Sequence, residues 1–214
     1  HTNVDLDPLS MDEVLPGRVD RNLLNASAYN EMEISPKTSI GTGVSYTLQE
    51  YNTDGYTDNS TVSIPIDFNH AITPKVDGTL NLAYANVWMG HGSKSSAIDT
   101  SMMVGLRGEI SPKITGFVRV GATSRENRSL ANGEDTTALT FLSTLSYAIN
   151  PFFNVSSNIF RNFGVSSYTT GGTIREGIGI TGAYKLGNDF TAGANLTYSK
   201  THYSGYDRKD TYLV

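Results

Sequence analysis

The residues able to do chemistry in this chain are few, and their spacing argues against most chemistries. Gly177-Ile178-Gly179-Ile180-Thr181-Gly182 fits the G-x-G-x-x-G pattern with which a strand-to-helix turn cradles a pyrophosphate. That use requires a helix to open at the glycines, yet polar and apolar residues keep alternating to Leu186. The glycines are therefore expected as small residues on one face of a strand, and no cofactor is expected. His202, Ser204 and Asp207 form the one local set with nucleophile, base and acid types. Such a trio is commonplace in a Gly- and Tyr-rich loop, so no catalytic residue is assigned and the chain is not expected to be an enzyme. His1, His70, His91 and His202 are too scattered for a metal site, although His91 and His202 could approach Asp54 or Asp207. The acidic stretch Asp5, Asp7, Asp12, Glu13 and Asp20 lacks the spacing of a calcium loop, so no metal is expected. Cysteine is absent, which removes disulfides, thiol catalysis and thiolate ligands together. A net charge of −5 argues against a general nucleic-acid binder.

What remains is charge placed at regular positions on strands. A hairpin turn recurs along the chain: Ile34-Ser35-Pro36-Lys37-Thr38, Ile72-Thr73-Pro74-Lys75-Val76, Ile110-Ser111-Pro112-Lys113-Ile114, Ile149-Asn150-Pro151-Phe152-Phe153 and Leu186-Gly187-Asn188-Asp189-Phe190. The leading residues lie 38, 38, 39 and 37 positions apart, a period that calls for a repeat architecture. Between the turns polar and apolar residues alternate, which predicts strands. Strands entering the turns are expected near 20–34, 58–72, 96–110, 136–149 and 173–186. Strands leaving them are expected near 38–48, 76–88, 114–125, 153–162 and 190–200, and a further strand of the entering direction is expected to begin before Val214. Treating each turn as a three-residue loop pairs Gly108 with Gly116 and Leu106 with Val118, and every apolar face then falls on one side of the sheet. A one-residue slip would mix the faces. The opposite side collects Lys75, Asp77, Asp99, Arg107, Glu109, Arg119, Arg125, Arg175 and Lys185, with Asp67, among Thr, Asn, Ser and Gly. The first nine of these are the candidates for lining a wet interior, because unsatisfied charge in a dry core is costly. The basic excess points to anionic solutes.

Strands of about 10–14 residues, at about 3.3 Å per residue and a tilt of about 40°, span the hydrocarbon of an outer membrane. The five turns are minimal, whereas the opposite connections, 49–57, 89–95, 126–135, 163–172 and 201–210, are longer and polar. Tyr46, Tyr84, Trp88, Tyr198 and Tyr203 fall toward the long loops, and Phe68, Tyr147, Phe153, Tyr184 and Phe190 toward the short turns, as two aromatic girdles would. Mean hydropathy is only −0.27, but a barrel strand shows every second residue to lipid and its signal is weak. The expected fold is all-β, an antiparallel up-and-down transmembrane β-barrel, with this chain forming part of a barrel of twelve or more strands. Residues 1–19 are expected as an acidic loop or N-terminal segment and 20–214 as the hairpin array.

The recurring Ile-Ser-Pro-Lys turns, and the run Leu145-Ser146-Tyr147-Ala148-Ile149-Asn150-Pro151-Phe152-Phe153-Asn154-Val155-Ser156, resemble the putative β-barrel porin 2 family over roughly residues 20–214. The resemblance implies a bacterial outer-membrane barrel of the kind associated with exopolysaccharide production and export, and supplies no catalytic motif. The expected function is a porin or conduit for polar solutes. The expected partners are outer-membrane lipid, a polar solute or polysaccharide, and periplasmic export components, with no nucleic acid. Two alternatives stay open: a structural or adhesive barrel with a plugged lumen, suggested by Tyr51, Tyr56, Tyr203 and Tyr206 in the outer loops, and a soluble β-rich fibre protein.

Overall fold

Strict alternation leaves each stretch between turns with one apolar and one polar side, and such stretches satisfy their backbone groups by pairing with sequence neighbours. The computed structural model describes residues 20–52, 56–90, 97–128, 135–165, 172–186, 190–203 and 209–213. The acidic segment 1–19 lies outside the described residues, as do Asp54, His91, Ser204, Tyr206 and Asp207. The strands are β1 (Arg21–Ser35), β2 (Thr38–Tyr51), β3 (Asn59–Thr73), β4 (Val76–Met89), β5 (Ala97–Ser111), β6 (Ile114–Asn127), β7 (Thr136–Asn150), β8 (Phe153–Val165), β9 (Gly172–Leu186), β10 (Phe190–Tyr203) and β11 (Lys209–Leu213). They form one antiparallel sheet in chain order, β1 to β11, which is the all-β up-and-down architecture expected from the alternation. Ten of the strands run 13–15 residues, more than twice the length usual in globular sheets.

The register agrees with the expected one away from the turns: Gly108 faces Gly116 and Leu106 faces Val118. The turns themselves are built differently from the three-residue loops expected. Ser35 pairs with Thr38, Thr73 with Val76, Ser111 with Ile114 and Asn150 with Phe153, so only two residues turn the chain. The register then shifts by one across Ile34, Ile72, Ile110 and Ile149, each a one-residue bulge in the entering strand. Turn plus bulge gives the same register as a three-residue loop, which is why the faces still agree. In three of these four turns the polar residue before the proline closes the turn, Ser35 by accepting from the Lys37 N–H at 3.4 Å. Thr73 Oγ1 accepts from the N–H groups of Lys75 and Val76, at 3.3 and 3.0 Å. Asn150 Oδ1 does the same for Phe152 and Phe153, at 2.9 and 2.8 Å. Each turn is tied to the next hairpin by a backbone bond, such as Glu109 N–H to Lys75 O at 2.9 Å. The fifth turn keeps the expected pairing of Leu186 with Phe190.

Pro65 interrupts the otherwise continuous ladder between β2 and β3: pairing passes from Thr42–Ile66 to Ser45–Ser63. A proline has no N–H to give. On β5 and β6 the sheet bends sharply at inward-facing glycines. A Cβ on Gly105 would stand 2.0 Å from Val118 O, and one on Gly121 1.9 Å from Met102 O, so only glycine permits this approach of neighbouring backbones.

Burial is inverted relative to a globular sheet. Among the described residues only Val87, Ala97, Ile98 and Phe160 are buried hydrophobics, against thirteen buried polar or charged residues. All of the latter except Ser143 stand on the face shared with Asp67, Asn81 and Arg125. The opposite face exposes Ile64, Ile66, Phe68, Leu82, Tyr84, Met102, Val104, Leu106, Ile180 and Leu196. The apolar area crosses nearly every strand, far beyond the few hundred Å² typical of the largest patch on a soluble monomer. The sheet is rolled with its polar face inward. Glu31 of β1 and Arg107 of β5 are about 19 Å apart along the sheet at about 4.8 Å per strand, yet their side chains meet at 2.7 Å.

Candidate functional site: the polar inner face

Three tiers of charge are stacked along the concave face, each assembled from alternate residues of several strands. Nearest the short turns, Arg107 donates from Nη2 and Nη1 to the two oxygens of Glu31, at 2.7 and 3.1 Å, and from Nε to Asp77 at 2.9 Å. Ser39 and Asn69 also donate to Glu31, the latter at 3.1 Å. Lys75 sits on the turn after β3, its side chain 65 % exposed, and reaches Glu109 at 2.6 Å, so it marks the rim of this tier.

In the middle tier Asp67 is the centre. It takes Asn81 Nδ2 at 3.0 Å, Tyr29 Oη at 3.3 Å and Arg119 Nη2 at 3.1 Å, from β4, β1 and β6. Tyr29 reaches it by lying over Gly41 and Gly43 of β2, where a Cβ would collide with the ring. Arg119 also stacks its guanidinium 5.4 Å from the Phe117 ring.

Toward the long loops, Arg125 is clamped. Its Nε and Nη2 each contact one oxygen of Asp99, directly across the β5–β6 ladder, at 2.6 Å. Its Nη1 donates to Gly164 O at 2.8 Å and its guanidinium lies 5.0 Å from the Phe163 ring. This tier borders a cavity of about 310 Å³ walled by β2–β6, β8 and β9, with Gln49, Tyr51, Asn59 and Arg175 among its polar lining. Tyr51 and Tyr56 stack beside it with ring centroids 5.5 Å apart.

The sequence-derived residues thus fall into separate tiers. Asp77 and Arg107 meet near the turns with Glu109 on Lys75 at the rim, Arg119 stands mid-height, and Asp99, Arg125 and Arg175 lie toward the loops. Lys185 is exposed on β9 near the last turn, and its backbone N–H bonds to Phe152 O. Gly177 and Gly179 face inward on β9 with Phe160 and Asn158 of β8 lying across them, and the strand runs on through the motif. Sequence reasoning missed Tyr29 and Glu31, which anchor two of the tiers. Their signal was parity alone: the first strand pairs them with Gly43 and Gly41, both on the polar side. His202 contacts Glu176 at 3.5 Å, while Ser204 and Asp207, to which no catalytic role is assigned, lie outside the described residues.

No family model and no curated protein matches the chain. Among solved structures it is similar to the TodX monoaromatic hydrocarbon channel, deltaS2 mutant, at 12 % identity and a TM-score of 0.46, over 88 % of this chain and 72 % of that chain.

Proposed function

We propose that the chain forms the wall of a bacterial outer-membrane β-barrel that works as a passive, non-enzymatic conduit for polar solutes. The observation that carries the reading is the inverted burial: polar groups inside, a belt of large apolar side chains outside. On β10 that belt runs from Phe190 to Tyr198, about 20 Å along the axis at about 3.3 Å per residue and about 40° of tilt, close to the height of an outer-membrane apolar band. In water so much exposed apolar surface would drive aggregation; in lipid it is at home. The inner tiers offer a solute fixed donors and acceptors, and a polysaccharide is the solute suggested by the resemblance of the turns and of the Leu145–Ser156 run. Periplasmic export components would be its partners.

One observation favours a second reading. The Glu31–Arg107 and Asp67–Arg119 pairs each bridge strands three or four apart across the concave face, as the struts of a plugged structural barrel would. Reconstitution into liposomes separates the two. A conduit gives swelling with small sugars, and a plugged anchor gives none. Solubility without detergent, with rapid tryptic cleavage at the exposed Lys113, would overturn the membrane assignment altogether.

A further inference from the structure

The outer wall carries charge that neither the lumen nor the apolar band explains. Outward residues on β10 run Phe190, Ala192, Ala194, Leu196 and Tyr198, and then become Lys200 and His202. On β9 the outward Ile180 and Ile178 are followed by Glu176, and on β8 Ile159 is followed by Arg161. The ladders set Arg161 opposite Glu176, and Glu176 opposite Lys200. Arg161 Nε and His202 Nε2 each lie 3.5 Å from an oxygen of Glu176. Arg161 Nη1 also donates to Leu139 O at 3.1 Å, which fixes the guanidinium against β7. Lys200 makes no ion pair among the described residues. Three basic side chains therefore gather around one carboxylate on the outward side of β8–β10, whose other large side chains are apolar or aromatic.

Height decides what such a patch would meet. From Phe190 to Lys200 is about 25 Å along the axis at about 3.3 Å per residue and about 40° of tilt, one apolar band height. With Phe190 at the interface on the short-turn side, the patch stands at the opposite interface, where lipid phosphates lie. Ile159, Ile178 and Tyr198 sit directly beneath it, a surface for acyl chains.

We propose that Arg161, Lys200 and His202 form a site for the phosphate headgroup of an outer-leaflet lipid, with Glu176 holding Arg161 and His202 in position. The inference rests on the membrane reading above. The apolar row under the patch selects a lipid over free phosphate, because a free ion has no use for it. The test uses the whole chain in neutral detergent. Native mass spectrometry compares a bisphosphorylated lipid A with its dephosphorylated form, and inorganic phosphate is titrated separately. The phosphorylated lipid should bind about tenfold tighter, as charge-assisted contacts require. Arg161→Gln with Lys200→Gln should abolish the preference, and Lys113→Gln on a short turn should leave it intact. Lys200→Glu alone should reverse the preference while circular dichroism still reports a β-barrel. Equal binding of the two lipids by the unaltered chain, or a preference that survives the double substitution, overturns the site. So does inorganic phosphate that displaces the lipid at the lipid's own concentration. A chain that stays monodisperse without detergent instead defeats the membrane reading, and that outcome is read before any lipid is added.

Discussion

Arg125 is 2 % exposed, a burial that an arginine tolerates only when its donors are met and its charge is balanced. Asp99 supplies the balancing charge and two acceptors, Gly164 O a third acceptor, and the Phe163 ring a face for the cation. Removing Asp99 alone leaves the guanidinium buried without a counter-charge. Asp99→Asn should therefore destabilise the folded chain by about 3–5 kcal/mol, the usual result of breaking a buried pair from one side. Lys75 and Glu109 make an equally short contact, but the lysine is 65 % exposed. Lys75→Gln should cost no more than about 1 kcal/mol, since water and salt screen the pair and the long side chain loses freedom in making it. Urea unfolding midpoints in detergent micelles compare the two directly. Similar losses for both substitutions would show that burial is not what sets the energetics of these pairs. The same reasoning marks Asp67, which is 9 % exposed and serves three donors from three strands, as a position where loss of charge is felt across β1, β4 and β6.

At the scale of the element, the chain uses two devices: a closed turn and a bent ladder. Thr73 accepts from two N–H groups of its turn, and Thr73→Ala leaves both to water. A loss of about 1 kcal/mol is expected, visible as a lowered urea midpoint with an unchanged slope. Gly121 is a harsher case. Its missing Cβ would lie 1.9 Å from Met102 O and 2.6 Å from Met103 Cα, and both are backbone atoms that cannot swing aside. Gly121→Val should block insertion of the folded sheet, whereas Ala122→Val, one residue on and facing outward, should be tolerated. Folded fractions from circular dichroism after dilution into detergent read both, and normal folding of Gly121→Val would show that the bend is not fixed there. These devices also show why the sequence was legible where it was. Alternation alone placed the strands and their faces, because a one-residue slip would turn Leu106 and Val118 from the apolar to the polar side. It did not distinguish a three-residue loop from a two-residue turn with a bulged isoleucine, since both shift the register equally. The lumen was half legible for a related reason. Parity puts Asp77, Arg107 and Arg119 on one face, but which carboxylate each arginine meets depends on how tightly the sheet rolls. That depends in turn on backbone approaches at Gly105 and Gly121 that alternation does not encode. Arg161, Glu176 and Lys200 escaped notice because each is the one Lys, Arg, Asp or Glu on the outward side of its strand and gathers with the others only across the ladders.

For the whole molecule, rolling turns sequence-distant charges into neighbours, and the balance of those charges sets what the interior favours. Glu31 and Arg107 are 76 residues apart in the chain and form a two-bond pair across the concave face. The carboxylate and the guanidinium largely cancel there, so neither sign of ion is strongly preferred while both are present. Arg107→Gln leaves Glu31, with Asp77 beside it, as uncompensated negative charge, and should move a conducting barrel toward cations. Glu31→Gln leaves Arg107 balanced by Asp77 alone and should move it toward anions. The double substitution removes the strut and both charges together. It should return the selectivity close to that of the unaltered chain while raising conductance, because a bridge across the bore is gone. Reversal potentials in a potassium chloride gradient across planar bilayers measure the sign of each change, and the shifts should shrink as salt rises and the Debye length falls below about 8 Å. A plugged barrel would show no steps with the unaltered chain, and steps with the double substitution alone would identify this pair as the plug. Identical reversal potentials for all four proteins would place the Glu31–Arg107 pair away from the ion path and leave the middle tier, Asp67 with Arg119, as the next constriction to test.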